Sequence, residues 1–196
     1  MKKSINWLFI TVCVAALFAG CSAKPATDLL ECDAATMTQF PYNENGVIVE
    51  KYQTTTPIAE HPGMVKIETY YVNKGKPITV RAYEMCRTEV EAADSVVWSL
   101  QPSSTSGRLD WVLPVTEGFK KENYLGMNNT DYGGGIPVVD LWQRDGGVAI
   151  GLIEPVLRMI SMPVEWKRYE NKVSMSLRYE FEWPVELNTG DTLHTF

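Results

Sequence analysis

The sequence predicts an all-β protein, an antiparallel β-sandwich. Several short segments alternate apolar and polar residues with a period of two, and Gly, Asn and Pro residues separate them. Beyond the amino-terminal segment, no stretch carries an apolar stripe with the 3.6-residue period of a helix. Strands that follow one another without intervening helices favour antiparallel sheets over βαβ units, and 45% hydrophobic content supplies enough apolar surface for one core.

The amino-terminal residues 1–20 have the layout of a secretory signal. Lys2 and Lys3 precede an apolar run from Trp7 to Ala19, which is shorter than the roughly 20 residues of a transmembrane helix. The run ends in the block 17–21 (LFAGC), which resembles a bacterial lipobox. This resemblance implies cleavage before Cys21 and lipidation of that cysteine; the alternative is a plain signal peptide. We therefore expect a cell-envelope protein anchored through Cys21 in the outer membrane and facing the periplasm.

The mature chain begins with a predicted tether over residues 21–40, and the predicted sandwich domain covers residues 41–196. The period-two alternation is clearest over residues 64–72, which we interpret as a half-buried strand. Residues 73–76 (NKGK) have the composition of a turn, and residues 77–86 follow as the partner strand, so this region predicts a β-hairpin. Further strands are predicted at residues 46–52, 95–100, 137–142, 148–153, 156–164 and 172–181, with a single helical turn at 89–94 and a turn between strands at 144–147.

Charge and motifs exclude several functional classes. The 24 acidic residues outnumber the 18 basic ones, and basic runs are absent, which argues against nucleic acid as a partner. Neither a serine-hydrolase elbow nor a phosphate-binding loop occurs, and we interpret His61 and His194 as surface residues. The spacing of Cys32 and Cys86 matches no metal site, so they form either a disulfide or two free thiols. No metal or cofactor is expected.

The segment 111–142 is the richest in potential binding residues. It interleaves aromatic side chains with short carboxylates and amides, a combination that suits sugars because a pyranose stacks on a ring while its hydroxyls need hydrogen-bonding partners. The alternative is that the tryptophans lie in the core and the glycines form tight turns. The candidate substrate-binding residues are Asn128, Asp131, Tyr132 and Trp142.

A glycosidase needs two carboxyl groups, and Asp131 with either Asp140 or Glu122 would be the candidate pair. Sequence does not supply their separation, so no catalytic residue is assigned.

The same segment carries a family resemblance. Residues 109–114 (LDWVLP), 122–128 (ENYLGMN) and 131–142 (DYGGGIPVVDLW) resemble the amino-terminal domain of family 36-type α-galactosidases, in the version found in secreted Bacteroidetes-type enzymes. Residues 145–151 (DGGVAIG) continue the likeness, which covers roughly residues 45–196. The DYGGG block is its most specific part.

The resemblance implies a β-supersandwich that precedes a (β/α)₈ barrel, which carries the two catalytic aspartates of the family. The chain ends at residues 191–196, which resemble a late part of that sandwich, so we expect a domain truncated at the carboxyl terminus whose last strands lack partners. The expected function is support of a barrel, in cis or in trans, and of the rim of an α-galactoside site, without catalysis by this chain alone. The alternative is a stand-alone envelope lipoprotein that binds carbohydrate or a protein partner.

Overall fold

A computed structural model of the chain describes residues 12–17, 24–25, 29–92, 96–100, 112–125, 137–144, 146–153 and 160–195. These residues contain β-strands and turns but no helix. The strands are β1 Val12–Leu17, β2 Lys24–Pro25, β3 Leu30–Cys32, β4 Thr36–Met37, β5 Tyr42–Glu44, β6 Val47–Pro57, β7 Met64–Asn73, β8 Ile78–Glu91, β9 Val97–Leu100, β10 Val112–Val115, β11 Lys120–Lys121, β12 Tyr124–Leu125, β13 Val138–Gln143, β14 Gly146–Ile153, β15 Ile160–Ser161, β16 Val164–Trp166, β17 Lys172–Leu187 and β18 Thr192–His194.

The strands form two antiparallel sheets. Sheet 1 has the order β10-β9-β13-β14-β1-β7-β6-β5, and β18 pairs with β7. Sheet 2 has the order β11-β16-β17-β8-β3-β4, while β15 pairs with β17 and β12, and β2 pairs with β8. The prediction of an all-β antiparallel sandwich is confirmed.

One hydrophobic core lies between the sheets. Its largest fully buried side chains come from both of them, among them Tyr71 and Ile150 from sheet 1 and Leu30, Met37 and Leu177 from sheet 2. Burial of a side chain of this size contributes roughly 1.5–3 kcal/mol. Alternate residues of each strand point into the core, so the remaining ones form the two outer faces on which a binding site can lie.

The predicted hairpin over residues 64–86 is wrong, although both of its strands exist. β7 pairs with β6 in sheet 1, whereas β8 pairs with β17 and β3 in sheet 2. The turn between them docks on the start of β6, because the backbone N–H groups of Lys74 and Gly75 donate to the carbonyl of Ile48. The chain therefore crosses from one sheet to the other at this turn.

The folded part begins before the predicted domain boundary at residue 41. β3 pairs with β8, and β4 pairs with β3, inside the segment predicted to be a tether. Leu30 and Met37 are fully buried in the core. These two apolar side chains explain why the segment folds against sheet 2 rather than remaining extended in solvent.

Other element boundaries also differ from the sequence expectations. β8 runs to Glu91, where it pairs with Lys172 of β17, so residues 89–91 belong to a strand and not to the predicted helical turn. The predicted strand at 156–164 is represented by β15 and β16; residues 154–159 lie outside the described part.

The expectation that the last strands lack partners is wrong. β17 is paired with β8 on one edge and with β15 and β16 on the other. β18 pairs with β7, and its Leu193 is buried.

Strand β1 comes from within the segment predicted to be a signal peptide. It lies between β14 and β7 and pairs antiparallel with both of them. β1 is therefore the element that joins the two halves of sheet 1.

Candidate functional site

Of the four sequence-predicted sugar-binding residues, Trp142 lies in the described part of the chain. Asn128, Asp131 and Tyr132 lie outside the described residues, as does the lipidation candidate Cys21. Trp142 is on β13, where Val139 and Leu141 point into the core, so Trp142 and Asp140 belong to the outer face of sheet 1. Trp142 is 39% exposed, so it is a surface residue and not a core aromatic.

A second tryptophan supports Trp142. Trp98 on β9 lies opposite Trp142 in the sheet register, and the two rings stack with centroids 6.0 Å apart and an interplanar angle of 21°. Gly147 of β14 lies opposite Trp142 on the other side. A Cβ at position 147 would lie 2.5 Å from the Cβ of Trp142, so glycine is required for this close approach.

Asp140 adjoins the tryptophan pair on the same face. Its Oδ1 accepts a hydrogen bond from the backbone N–H of Leu100 at 2.6 Å, which ties β13 to β9. Burial raises the pKa of the Asp140 carboxyl, and the hydrogen bond from Leu100 partly opposes that effect. The carboxylate is thus held in a fixed position beside an exposed aromatic surface.

These residues border a shallow cavity of about 440 Å³ on the β13–β14 hairpin. Trp142 and Ala149 supply apolar lining, while Asp140 and Arg144 add a carboxylate and a guanidinium. An aromatic platform beside a few polar groups is the usual composition of a small-ligand site. A site of this kind suits a ligand that has one apolar face and several hydroxyl groups.

A second aromatic cluster lies on the same outer face and was missed by sequence reasoning. Tyr52 and Tyr70 are register partners on β6 and β7 and stack with centroids 4.9 Å apart, and His194 of β18 lies 5.5 Å from Tyr70. The Tyr52 hydroxyl donates to the carboxylate of Glu50 at 2.6 Å. The alternation along residues 64–72 indicated that Tyr70 faces away from the core, but its partners come from strands distant in sequence.

The outer face of sheet 2 carries a polar cavity of about 160 Å³. The side chain of Glu84 is 3% exposed there; it forms an ion pair with Arg87 and accepts a hydrogen bond from Ser176 at 3.4 Å. Arg178 also lines this cavity and forms an ion pair with Glu31 at 3.0 Å. Glu84, Arg87 and Arg178 all form ion pairs, so we interpret this cavity as part of a structural ion-pair network, in which the buried Nε of Arg178 has no hydrogen-bond partner among the described residues.

The two proposed partners of Asp131 lie on opposite sides of the sandwich. Asp140 faces outward from sheet 1, whereas Glu122 lines the polar cavity on the outer face of sheet 2. Asp131 itself lies outside the described residues, so the structure places neither of its two candidate pairs. Glycoside hydrolysis needs two carboxyl groups within roughly 5–9.5 Å, so a pair of Asp140 and Glu122 is excluded.

Cys32 and Cys86 are both free thiols in the structure. Cys32 Sγ donates to the carbonyl of Ala35, and burial raises the pKa of the Cys86 thiol to about 11. A thiol with a raised pKa is a poor nucleophile at neutral pH.

No protein-family model matches the chain, and no curated protein matches it. The structure shows an all-β protein built of antiparallel sheets that pack on one core, and no family is identified. Within the described ranges, no helix is long and apolar enough to cross a membrane.

Proposed function

We propose that this chain is a non-catalytic β-sandwich that binds carbohydrate through Trp142, as the sandwich domain of an α-galactosidase-like glycoside hydrolase. The observation that carries the proposal is the partly exposed Trp142, stacked on Trp98 beside Asp140 and Arg144. The α-galactoside specificity comes from the family resemblance of residues 109–151.

The chemistry of a sugar fits this surface. The C–H groups on one face of a pyranose pack on an indole ring, which removes apolar surface from water on both sides. The hydroxyl groups at the ring edge need both acceptors and donors, and Asp140 and Arg144 offer one of each. Stacking of Trp98 on Trp142 restricts the indole, so less side-chain entropy is lost when a ligand binds.

The absence of catalysis by this chain is part of the proposal. Among the described residues that line the Trp142 cavity, Asp140 is the one carboxylate. A single carboxylate does not supply both the acid and the nucleophile or base of glycoside hydrolysis. The catalytic aspartates would then belong to a barrel domain, in the same polypeptide or in a separate chain.

We also propose that the protein is a lipoprotein of the cell envelope. Signal peptidase would remove residues 1–20, and acyl chains on Cys21 would anchor the domain in the outer membrane, facing the periplasm. More than one acyl chain is needed for stable anchoring, since each buried methylene contributes about 0.8 kcal/mol.

A binding experiment with matched variants tests the carbohydrate proposal. Titration of the full chain with methyl α-galactoside is expected to show saturable binding that Trp142→Ala weakens at least tenfold, about 1.4 kcal/mol. Trp183→Ala is the matched control, because Trp183 is 78% exposed on β17 of the other sheet. Equal affinity of the two variants, or no saturation by any α-galactoside, would contradict the proposal.

Hydrolysis of p-nitrophenyl α-galactoside by the same protein tests the non-catalytic part. We expect no release of nitrophenol above that of a variant in which Asp131 and Asp140 are both replaced by Asn. Release that depends on either aspartate would show that the chain is itself an enzyme.

The second candidate is a stand-alone envelope lipoprotein that binds carbohydrate or a protein partner. It is favoured by the pairing of both β17 and β18, which leaves neither of the last two strands dependent on an added domain. The reading frame beyond Phe196 distinguishes the candidates, because an in-frame barrel supports the first and an unrelated downstream gene supports the second.

A further inference from the structure

Sheet 1 depends on β1 for its continuity. β1 pairs with β14 over Val148–Ile153 and with β7 over Met64–Ile67, antiparallel in both cases. The opposite edges of these neighbours are already occupied, β14 by β13 and β7 by β6. Within the described part of the chain, β7 and β14 do not pair with each other.

Removal of β1 would leave a slot that is one strand wide. Its two walls would be the facing edges of Val148–Ile153 and Met64–Ile67, and their backbone N–H and C=O groups would lose their partners. Such groups inside a sheet must be paired with protein or water, and two unpaired edges that face each other are a template for an added strand. Farther along β7, the same edge is closed by β18, so the slot ends near residue 70.

The segment that fills the slot is the one that lipoprotein processing would remove. Cleavage before Cys21 takes away residues 1–20 and with them all of β1. We propose that the processed protein has an open slot between β7 and β14, and that an extended segment of a partner polypeptide fills it by β-strand addition. This inference rests on the processing step of the proposed function.

The neighbouring strands define what the incoming segment must contain. Val148, Ile150 and Leu152 point into the core, so residues that lie opposite them will also face the core and must be apolar. The alternate positions lie opposite Ala149 and Gly151 on the outer face, beside a small apolar cavity of about 190 Å³ that these two residues line. The partner segment is therefore an extended stretch of about six residues with apolar side chains at every second position.

The structure itself shows that such a segment fits. Residues 12–17 form six register pairs with β14 and four with β7, so one antiparallel strand satisfies both walls at once. Main-chain hydrogen bonds supply the affinity in strand addition, and the alternating core positions supply the specificity. Processing removes residues 12–17 from every copy, so a second copy of this chain cannot supply this segment, and the occupant we propose is a segment of a partner polypeptide.

Hydrogen–deuterium exchange on two forms of the full-length gene product tests the inference. The wild-type form is expressed in a Gram-negative host and purified in detergent, and the Cys21→Ala form is expected to retain residues 1–20. Intact mass shows whether each form has been processed. We expect the amides of residues 64–67 and 148–153 to exchange at least tenfold faster in the processed form than in Cys21→Ala, while those of β17 remain equally protected.

A synthetic peptide with the sequence of residues 11–18 and a terminal lysine tag is then added to the processed form. It is expected to restore protection at both walls, whereas a control peptide with aspartate at the positions of residues 13, 15 and 17 is not. If the amides of residues 64–67 and 148–153 are fully protected in the processed monomer without peptide, the proposal of an open slot is refuted, because β7 and β14 would then pair directly. If the same amides are fully protected in a processed dimer, the proposal that a partner polypeptide fills the slot is refuted, and a second copy of this chain fills it instead. If the intact mass shows that the wild-type protein still contains residues 1–20, both the processing step and the open slot are refuted. The intact mass therefore distinguishes this outcome from the others.

Discussion

Asn73 is the polar residue whose replacement we expect to damage the fold most. It is fully buried at the end of β7, and its Nδ2 donates to the carbonyls of Lys76 at 3.0 Å and Leu187 at 2.8 Å. Its Oδ1 accepts from the N–H of Gly75 at 3.0 Å. The side chain thus joins the crossing between the two sheets to the end of β17.

The magnitude follows from these three hydrogen bonds. Each contributes roughly 1 kcal/mol net, so Asn73→Ala is expected to lower the free energy of unfolding by about 3 kcal/mol. For a chain of this size that corresponds to a fall in Tm of roughly 6–12 °C. Asn73→Asp should be worse at neutral pH, because a buried carboxylate would face the carbonyl oxygens of Lys76 and Leu187.

Urea unfolding at pH 7.5 and pH 4.5 checks the reasoning. Burial among carbonyl oxygens raises the pKa of the introduced carboxyl above its value in the unfolded chain, so the folded state takes up the proton first. The stability of Asn73→Asp should therefore rise as the pH falls, relative to Asn73→Ala. Asn188→Ala is the control, since Asn188 is exposed at the same corner. A loss below about 1 kcal/mol for Asn73→Ala, or no pH-dependent difference between the variants, would refute the argument.

Two further predictions concern the same molecule. Gly75→Ala should lower Tm strongly, because the added methyl group collides with the backbone of Gly46 and Ile48. Gly190→Ala meets no atom within 4 Å, so it should lower Tm less, by the backbone strain of its φ of 90° alone; an equal or larger fall in Tm for Gly190→Ala would contradict this. Burial lowers the pKa of Lys51 to about 8 from an ordinary 10.5, so between these values the unfolded state binds more protons and wild-type stability rises with pH. Lys51→Met should lose that rise in urea unfolding at pH 7, 8 and 9; parallel pH profiles would contradict it.

The strands themselves were largely predictable from the sequence. The alternation over residues 64–72 predicted β7, and the alternation over residues 172–181 predicted the first part of β17. The strand ends were less predictable, since a strand continues as long as a neighbour pairs with it. β8 extends to Glu91 because Lys172 of β17 lies opposite, and local sequence around Glu91 carries no sign of that distant partner.

The crossing between the two sheets at residues 73–76 was not predictable from its local sequence. Its composition predicts a turn, and a turn is present, but the same residues suit a hairpin within one sheet and a crossing between two. The choice was made by contacts with the start of β6 and by Asn73, which bonds to Leu187 more than a hundred residues away.

The candidate site was likewise predictable from the sequence only in part. Trp142 was identified from its aromatic and polar surroundings in the sequence, and β13 alternation places it on the surface. Its stacking on Trp98 depends on the register between β9 and β13, which brings together residues 44 positions apart. The separation of Asp140 from Glu122 by the thickness of the sandwich likewise depends on which sheet each segment joined.

By itself the sequence determined the fold class, the positions of most strands and the residues that turn the chain. These properties depend on side-chain alternation and on backbone preferences that act within a few residues. Only the tertiary structure decided which sheet each strand enters, which aromatic residues meet and that β1 joins the two halves of sheet 1. Strands pair through backbone hydrogen bonds that are the same for every residue, so the choice of partner is made by packing of the whole core.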